Sequence, residues 1–381
     1  MAKYNPLMEK EKKFVLGQYF TRRNIVDRVI KLLLKYKSYN KDIRILEPSS
    51  GTKNFIKLLK EEKFNNIIDC EIDKDLTNNP CDFFLYPLEE KFNLIIGNPP
   101  FTKYNLKNSY YYPENYKDKE IKPESYLSEK IIKKKKLQIE NAFILKSIKH
   151  LKEKGTIAFV LPISFFIAKK NKDIKKEISD NFSTIIIYQN DKNWFDEPIP
   201  CCFAIFTHIP EHENKIILLY EDDKNVEKII DKKELLTSEL IPQSFLYKQN
   251  VNQKGTPLSK FLSDEKARYK RDYEKNNVSG ANILEMQKIP DNKNIRDYTL
   301  AVVRVGNSSV GKTGLINIKE DTLNDMFFVL GFKEEYNNNR ALKEKICKLV
   351  NENQEHFKKS TIRVGSKSIK KSDVFDFKVE I

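Results

Sequence analysis

Apolar residues along this chain recur at two periods. From Ile25 they fall at Val26, Val29, Ile30, Leu33 and Leu34, the spacing of one buried helix face, and Thr21 just before them is the expected N-cap. Elsewhere they gather in short runs rich in Ile, Val and Phe, bounded by polar turns, as buried strands do. These runs are Ile43–Leu46, Asn66–Cys70, Phe92–Gly97, Gly155–Pro162, Ser183–Tyr188 and Cys201–Thr207. Helical patterns stand between them, at Ile56, Leu58 and Leu59 and again over Glu140–Ile148. Alternation of strand and helix predicts an α/β, Rossmann-like fold, with an expected sheet of seven strands.

One strand ends abruptly. The run Phe92-Asn93-Leu94-Ile95-Ile96-Gly97 is closed by Asn98-Pro99-Pro100-Phe101, and two prolines cannot donate to a central ladder. A rigid corner therefore stands at the carboxyl end of a parallel strand, where open α/β sheets bind ligands. It offers an amide side chain, backbone carbonyls held in place by proline, and an aromatic face. Those parts suit holding a flat base by its exocyclic amine.

A second corner comes after the first strand. Glu47-Pro48-Ser49-Ser50-Gly51-Thr52-Lys53-Asn54-Phe55 leads into a helical pattern, the strand–loop–helix start of a mononucleotide-binding unit. Glu71 lies twenty residues beyond Gly51, the separation at which an acidic side chain commonly holds a ribose hydroxyl pair. An Asn-Pro turn, a capped surface helix or an acidic turn residue accounts for any one of these signals alone. Their order along the chain is what makes them informative.

In that order (Gly17-Gln18-Tyr19-Phe20-Thr21, Glu47–Gly51, Glu71-Ile72-Asp73, Cys81-Asp82-Phe83-Phe84, Asn98–Phe101) the chain resembles the gamma-class adenine-specific (N6) DNA methyltransferases, over residues 16–207. The resemblance implies a seven-stranded methyltransferase sheet and S-adenosyl-L-methionine as cofactor. Phe20 and Thr21 would lie against its methionine end, and Glu47, Pro48 and Gly51 would form its loop. Glu71 would hold the ribose, Ile72 would pack on adenine, Asp82 would accept the adenine amine and Phe83 would cover the ring. Asn98, Pro99, Pro100 and Phe101 would be the catalytic motif, with Phe101 and a later aromatic stacking on a flipped target base. Phe195 matches that aromatic best, and its neighbour Trp194 is the alternate; an aromatic plugging the core is the plain reading of either.

The chain departs from the family pattern at Lys53, which stands where a second loop glycine is expected. At positive φ a lysine costs about 1 kcal/mol or more relative to glycine. Its side chain would either crowd the cofactor or reach its carboxylate.

Residues 102–136 carry no core pattern and mix tyrosines with lysines, including Lys133–Lys136. A loop gripping nucleic acid and a solvated insertion are equal readings. The catalytic domain is expected over 1–210 and a mixed α+β target-recognition domain over 211–381. In the latter, Arg268, Lys270, Arg271, Arg304 and Lys312 are the candidate DNA contacts. Gly306-Asn-Ser-Ser-Val-Gly311-Lys312-Thr313 also matches the phosphate-binding pattern G-x-x-x-x-G-K-[ST]. That loop must open a helix, whereas Gly314-Leu-Ile-Asn-Ile comes next here, so a glycine-rich hairpin is the better reading.

Composition adds the partner class. With 69 basic and 54 acidic residues the net charge is +15, which favours a polyanion such as double-stranded DNA, although a Lys-, Asn- and Ile-rich compositional bias would produce the same balance. The five cysteines have neither metal-ligand spacing nor the pattern of a disulfide framework, and no metal is expected. The sequence shows no apolar leader and no membrane-length run. The expectation is an intracellular, monomeric DNA adenine methyltransferase, with a cognate restriction endonuclease as a candidate partner. RNA and protein-glutamine amino-methyltransferases, which share Asn-Pro-Pro-aromatic, and a catalytically impaired DNA-binding relative are the alternatives.

Overall fold

The computed structural model describes residues 16–101, 103–104, 137–167, 171–222, 225–249, 255–266, 270–271, 277–361 and 368–381. The chain divides into two compact units, Met1–Pro242 and Gln243–Ile381.

The first unit is a twisted sheet with helices packed on it. Its elements are α1 (Arg23–Tyr36), β1 (Ile45–Glu47), α2 (Asn54–Glu61), β2 (Ile67–Asp69), β3 (Phe92–Gly97), α3 (Ile139–His150), β4 (Leu151–Pro162), α4 (Lys172–Asn181), β5 (Thr184–Asn190), β6 (Cys201–Thr207), β7 (Lys215–Glu221) and β8 (Val226–Asp231). The strand order is β8-β7-β5-β6-β4-β3-β1-β2. Parallel pairs join β2, β1, β3 and β4, and β5 with β7. β6 runs antiparallel to both of its neighbours, β4 and β5.

The sheet has eight strands among the described residues, one more than expected, and two of them lie beyond the six runs named from the sequence. β7 and β8 join the same sheet, β8 as an antiparallel edge. For the same reason the first unit runs to Pro242 and not to 210. The hydrophobic pattern of Ile216, Ile217, Leu218 and Leu219 marks a strand but does not say which sheet receives it; pairing with β5, from Thr184↔Lys215 to Asn190↔Glu221, decides that.

The central strands are buried on both faces. Leu94, Ile95, Ile96, Ile157, Ala158, Phe159, Ile186 and Phe203 have essentially no exposed surface, as expected where helices cover both sides of a parallel sheet. Each such large side chain contributes about 1.5–3 kcal/mol on burial. α1 buries Ile25, Val26, Val29, Ile30 and Leu33, the face its periodicity predicts. Its N-cap is Arg22, without a side-chain cap bond, so Thr21 stands one residue earlier than a capping role requires.

The second unit carries an antiparallel sheet in the order β9-β12-β10-β11, made of β9 (Leu262–Lys266), β10 (Tyr298–Val303), β11 (Thr313–Asn317) and β12 (Phe327–Phe332). Helices α5 (Arg340–Glu352) and α6 (Gln354–Ser360) come after it in the chain. Leu300, Val302, Leu315 and Leu330 of the sheet share a core with Ile346, Cys347, Val350 and Phe357 of these helices. This is the mixed α+β architecture expected after the catalytic half. Residues 306–313 lie in the turn of the antiparallel β10–β11 hairpin, and no helix begins there.

Candidate active site

At the carboxyl ends of β1 and β3 lies an open cavity of about 790 Å³, open solvent at its mouth included. Phe20, Thr21, Glu47, Pro48, Gly51, Glu71, Ile72, Asp82 and Phe83 all line it, together with Asn98 and Pro100. All nine candidate cofactor residues therefore share one wall with the Asn-Pro-Pro corner. Ile139 and Phe143 of α3 line it too; nothing but their place on an apolar helix face pointed to them, and that signal is shared by every core residue.

The loop after β1 is shaped by two residues in the left-handed region, Gly51 at φ 49 and Lys53 at φ 62. A Cβ on Gly51 would stand 3.0 Å from the Phe20 ring, so glycine is required there for close approach as well as for conformation. Lys53 carries the conformational cost and is held by an ion pair from its ammonium to Asp69 at 3.2 Å. Its side chain is not part of the cavity wall. The expected crowding of the cavity does not occur, nor does the lysine reach into it.

Glu71 ties this loop to the next. Its Oε2 accepts the Gly51 amide at 2.6 Å and its Oε1 accepts the Asp73 amide at 2.9 Å. Burial raises its pKa, and these two amides oppose the rise. Glu47, wholly enclosed, is raised further, by burial first and then by the carboxylates of Asp69 and Glu71.

Asp82 caps the turn Phe83–Leu85. Its Oδ1 accepts the Phe84 amide at 2.8 Å, while its Oδ2 is buried with no hydrogen-bond partner among the described residues. Burial pushes its pKa up to about 6. Beneath it, the Lys146 ammonium donates to the Tyr86 carbonyl at 2.8 Å and lies 5.3 Å over the Phe83 ring.

At the Asn98 end the Gly17–Thr21 segment runs alongside the corner. The Phe101 amide donates to the Gly17 carbonyl at 3.1 Å, and Asn98 Nδ2 donates to the Tyr19 carbonyl at 2.5 Å. Ser49 Oγ donates to the Asn98 carbonyl at 2.9 Å. With its nitrogen anchored, the Asn98 side chain presents an oxygen that is buried and without a partner among the described residues. Thr21 Oγ1 is in the same condition. Unpaired buried oxygens are costly, about 1–3 kcal/mol each, and four residues around one cavity, Thr21, Glu47, Asp82 and Asn98, each carry one, which indicates a site built to accept hydrogen bonds from a ligand.

Phe101 stacks on Tyr19 with ring centroids 5.9 Å apart and lies outside the cavity wall. Phe195 is fully buried and meets Phe101 edge-on at 5.9 Å and Tyr19 at 6.1 Å. These contacts leave no space for a third ring between Phe101 and Phe195. Trp194, the alternate, is buried too, its Nε1 donating to Asn190 Oδ1 at 2.8 Å. Pro99 is buried behind the corner.

Of the candidate DNA contacts of the second unit, the described side chains are those of Arg304 and Lys312. Arg268 lies outside the described residues, as do residues 105–136 and the side chains of Lys270 and Arg271. Arg304 donates to the Asp325 carbonyl at 2.5 Å, and Lys312 to the Gly280 carbonyl at 3.3 Å. Among the described residues no cluster of His, Cys, Asp and Glu could hold a metal, and no helix is long and apolar enough to cross a membrane.

The fit to S-adenosylmethionine rests on the donor set. Unpaired carboxylate and amide oxygens suit its amines, Glu71 can accept ribose hydroxyls, and Ile72, Phe83 and Phe143 offer flat apolar cover. Type II methyltransferase M.HincII of Haemophilus influenzae is 30% identical over 267 residues, covering 67% of this chain and 50% of that protein. Type II methyltransferase M.AccI of Acinetobacter calcoaceticus is 26% identical over 247 residues, 59% and 43% of the two chains. The crystal structure of the type I restriction enzyme EcoKI M protein superposes with a TM-score of 0.38 at 12% identity, over 89% of this chain and 72% of that one. The chain spans about half the length of the curated relatives it matches. A family model described as N-6 DNA methylase matches residues 55–288, more than half of the sequence, and the chain belongs to that family.

Proposed function

We propose that this chain is a site-specific DNA adenine-N6 methyltransferase that uses S-adenosylmethionine and acts in restriction–modification, on double-stranded DNA. The observation that carries this reading is the Asn98 amide: nitrogen fixed on the Tyr19 carbonyl, oxygen buried and unpaired beside an aromatic cluster. An amine on an aromatic ring is a poor nucleophile because its lone pair is delocalised. The Asn98 oxygen and the Pro99 carbonyl accept the two amine protons and draw the nitrogen towards tetrahedral geometry. Oriented dipoles of this kind, aimed at developing charge, are strong catalytic devices.

When bound, the cofactor supplies an electrophilic sulfonium methyl. Asp82 and Glu71 fix its adenosine part, and Thr21 and Phe20 border the end nearer Asn98. The target adenine must leave the duplex to reach this corner, and its entry parts the Tyr19–Phe101–Phe195 cluster so that Phe101 stacks on it. Arg304, Lys312 and the basic segment around Arg268, Lys270 and Arg271 are proposed phosphate contacts, and a cognate endonuclease is the proposed partner. The type II methyltransferase names of the relatives support that role.

The test is methylation of DNA by the purified chain, read by sequencing modified adenines in context. Asn98→Ala should lower turnover by about 10²–10³ while S-adenosylmethionine still binds calorimetrically. Near-normal turnover in that variant, or modification of RNA or protein and not DNA, would overturn the reading.

A further inference from the structure

Two thiols meet at the wall of the cofactor cavity, Cys81 lining it and Cys70 buried behind it. Cys70 comes directly after β2, is wholly buried, and is fixed by its amide to the Glu47 carbonyl at 2.9 Å. Cys81 is eleven residues on, and its own amide donates to the Glu71 carbonyl at 2.8 Å. These two main-chain bonds bring the sulfurs to 3.0 Å. Cys81 lines the cavity between Ile72 and Asp82. Of the five cysteines in the chain it alone is not buried; Cys70, Cys201, Cys202 and Cys347 are.

The pair is chemically asymmetric. The hydrogen bond shared by the two sulfurs lowers the pKa of Cys81, against its burial and the Asp82 carboxylate and with help from the Lys146 ammonium. The same bond, then burial, raises Cys70. A reachable sulfur with thiolate character beside a buried second thiol has the arrangement of an attacking and a resolving cysteine.

We propose that Cys70 and Cys81 form a peroxide-reactive dithiol site that closes to a disulfide and so shifts the wall that reads the cofactor. The Cys81 thiolate attacks one oxygen of a hydroperoxide; the O–O bond breaks, the leaving oxygen takes up a proton, and Cys81 becomes a sulfenic acid. Cys70 then attacks the Cys81 sulfur, its proton leaving with the displaced hydroxide as water. With hydrogen peroxide the sum is two thiols and one peroxide giving one disulfide and two waters. The sulfurs draw together by roughly 1 Å to reach bonding distance. Cys70 is locked in the core, so the displacement falls on Cys81 and on Asp82 next to it, whose Oδ2 has no other partner among the described residues. The consequence for the cofactor rests on the adenosine placement proposed above; the chemistry of the two thiols does not.

The experiment uses the full chain, reduced, then treated with hydrogen peroxide and freed of excess oxidant. Peptide mapping should show a Cys70–Cys81 link. S-adenosylmethionine affinity should fall about tenfold, the size of one weakened charge-assisted hydrogen bond, and return with dithiothreitol. Cys70→Ser, behind the cavity wall, should bind the cofactor like the reduced chain and lose the reversible response. Cys81 found oxidised without a link to Cys70, or a mapped link with unchanged affinity, would overturn the proposal. If the reduced chain binds no S-adenosylmethionine, the functional reading fails, and bond mapping alone then decides whether the dithiol site exists.

Discussion

The loop leaving β1 at Glu47 and the loop leaving β10 at Val303 each begin at the end of a buried strand and each place two residues at positive φ. In the first these are Gly51 and Lys53, in the second Gly306 at φ 140 and Gly311 at φ 83. The element each loop opens into separates them. After Lys53 the chain enters α2, which buries Phe55, Ile56, Leu58 and Leu59, and the loop opens onto the cavity. After Lys312 the chain turns back as β11. The Gly311 amide donates to the Val303 carbonyl and the Val303 amide to the Lys312 carbonyl, both at 2.8 Å, while the Thr313 hydroxyl donates to the Gly311 carbonyl at 3.0 Å. A hairpin occupies the amides that a helix amino terminus leaves free for a ligand. The loop with the complete phosphate-binding spelling therefore has no such site, and the loop that lacks one expected glycine has the cavity.

The largest effect expected from breaking this contrast comes from bulk at the two loop glycines. Gly51→Val forces a branched side chain into the left-handed region and into the Phe20 ring; strain of about 3 kcal/mol should weaken S-adenosylmethionine binding roughly 100-fold in calorimetry. Gly311→Ala puts a Cβ 2.7 Å from that of Phe357. It should destabilise the second unit by about 2–4 kcal/mol in denaturant unfolding and leave cofactor affinity unchanged. Loss of cofactor binding in the second variant would erase the distinction between the loops.

A smaller effect sharpens the cavity side. Burial raises the folded pKa of Asp82 from 3.8 to about 6, so above that pH the group is a carboxylate free to make the proposed contact with the adenine amine, and below it a proton occupies the acceptor. Affinity should therefore be full above pH 6 and fall by up to about tenfold per pH unit below it, one proton being displaced on binding. Asp82→Asn should bind weakly and lose this part of the pH profile. A wild-type affinity flat from pH 7 to pH 5 would remove Asp82 from the adenine contact.

The smallest effects concern the two lysines. Lys53→Gly relieves about 1 kcal/mol of backbone strain and gives up a half-exposed ion pair worth about 0–1 kcal/mol. Stability should shift by less than about 1 kcal/mol, and cofactor affinity should stay within a few-fold. Lys312→Ala should leave methyl transfer independent of ATP and the cofactor affinity unaltered; an ATPase lost with Lys312 would show that the hairpin reading misses a nucleotide site.

Local chemistry determined much of this protein. Two prolines after Gly97 must end a strand, the spacing of Ile25 to Leu33 must bury one helix face, and Gly314-Leu-Ile-Asn-Ile must favour a strand over a helix. The α/β class, the corner at Asn98 and the hairpin at 306–313 were legible for those reasons. Tertiary structure alone decided what depends on distant partners. β7 and β8 joined the first sheet because β5 offered a free edge. Thr21 ceased to be the cap, which is Arg22, and Phe195 closed against Tyr19 and Phe101 in a common core. The meeting of Cys70 with Cys81, and the orientation that leaves one oxygen of Asn98 and one of Asp82 unpaired, depend on main-chain bonds to Tyr19, Glu47, Glu71 and Phe84. Periodicity and turn chemistry act over a few residues, whereas pairing and burial are settled between segments tens of residues apart, and it is the latter that place atoms in a site.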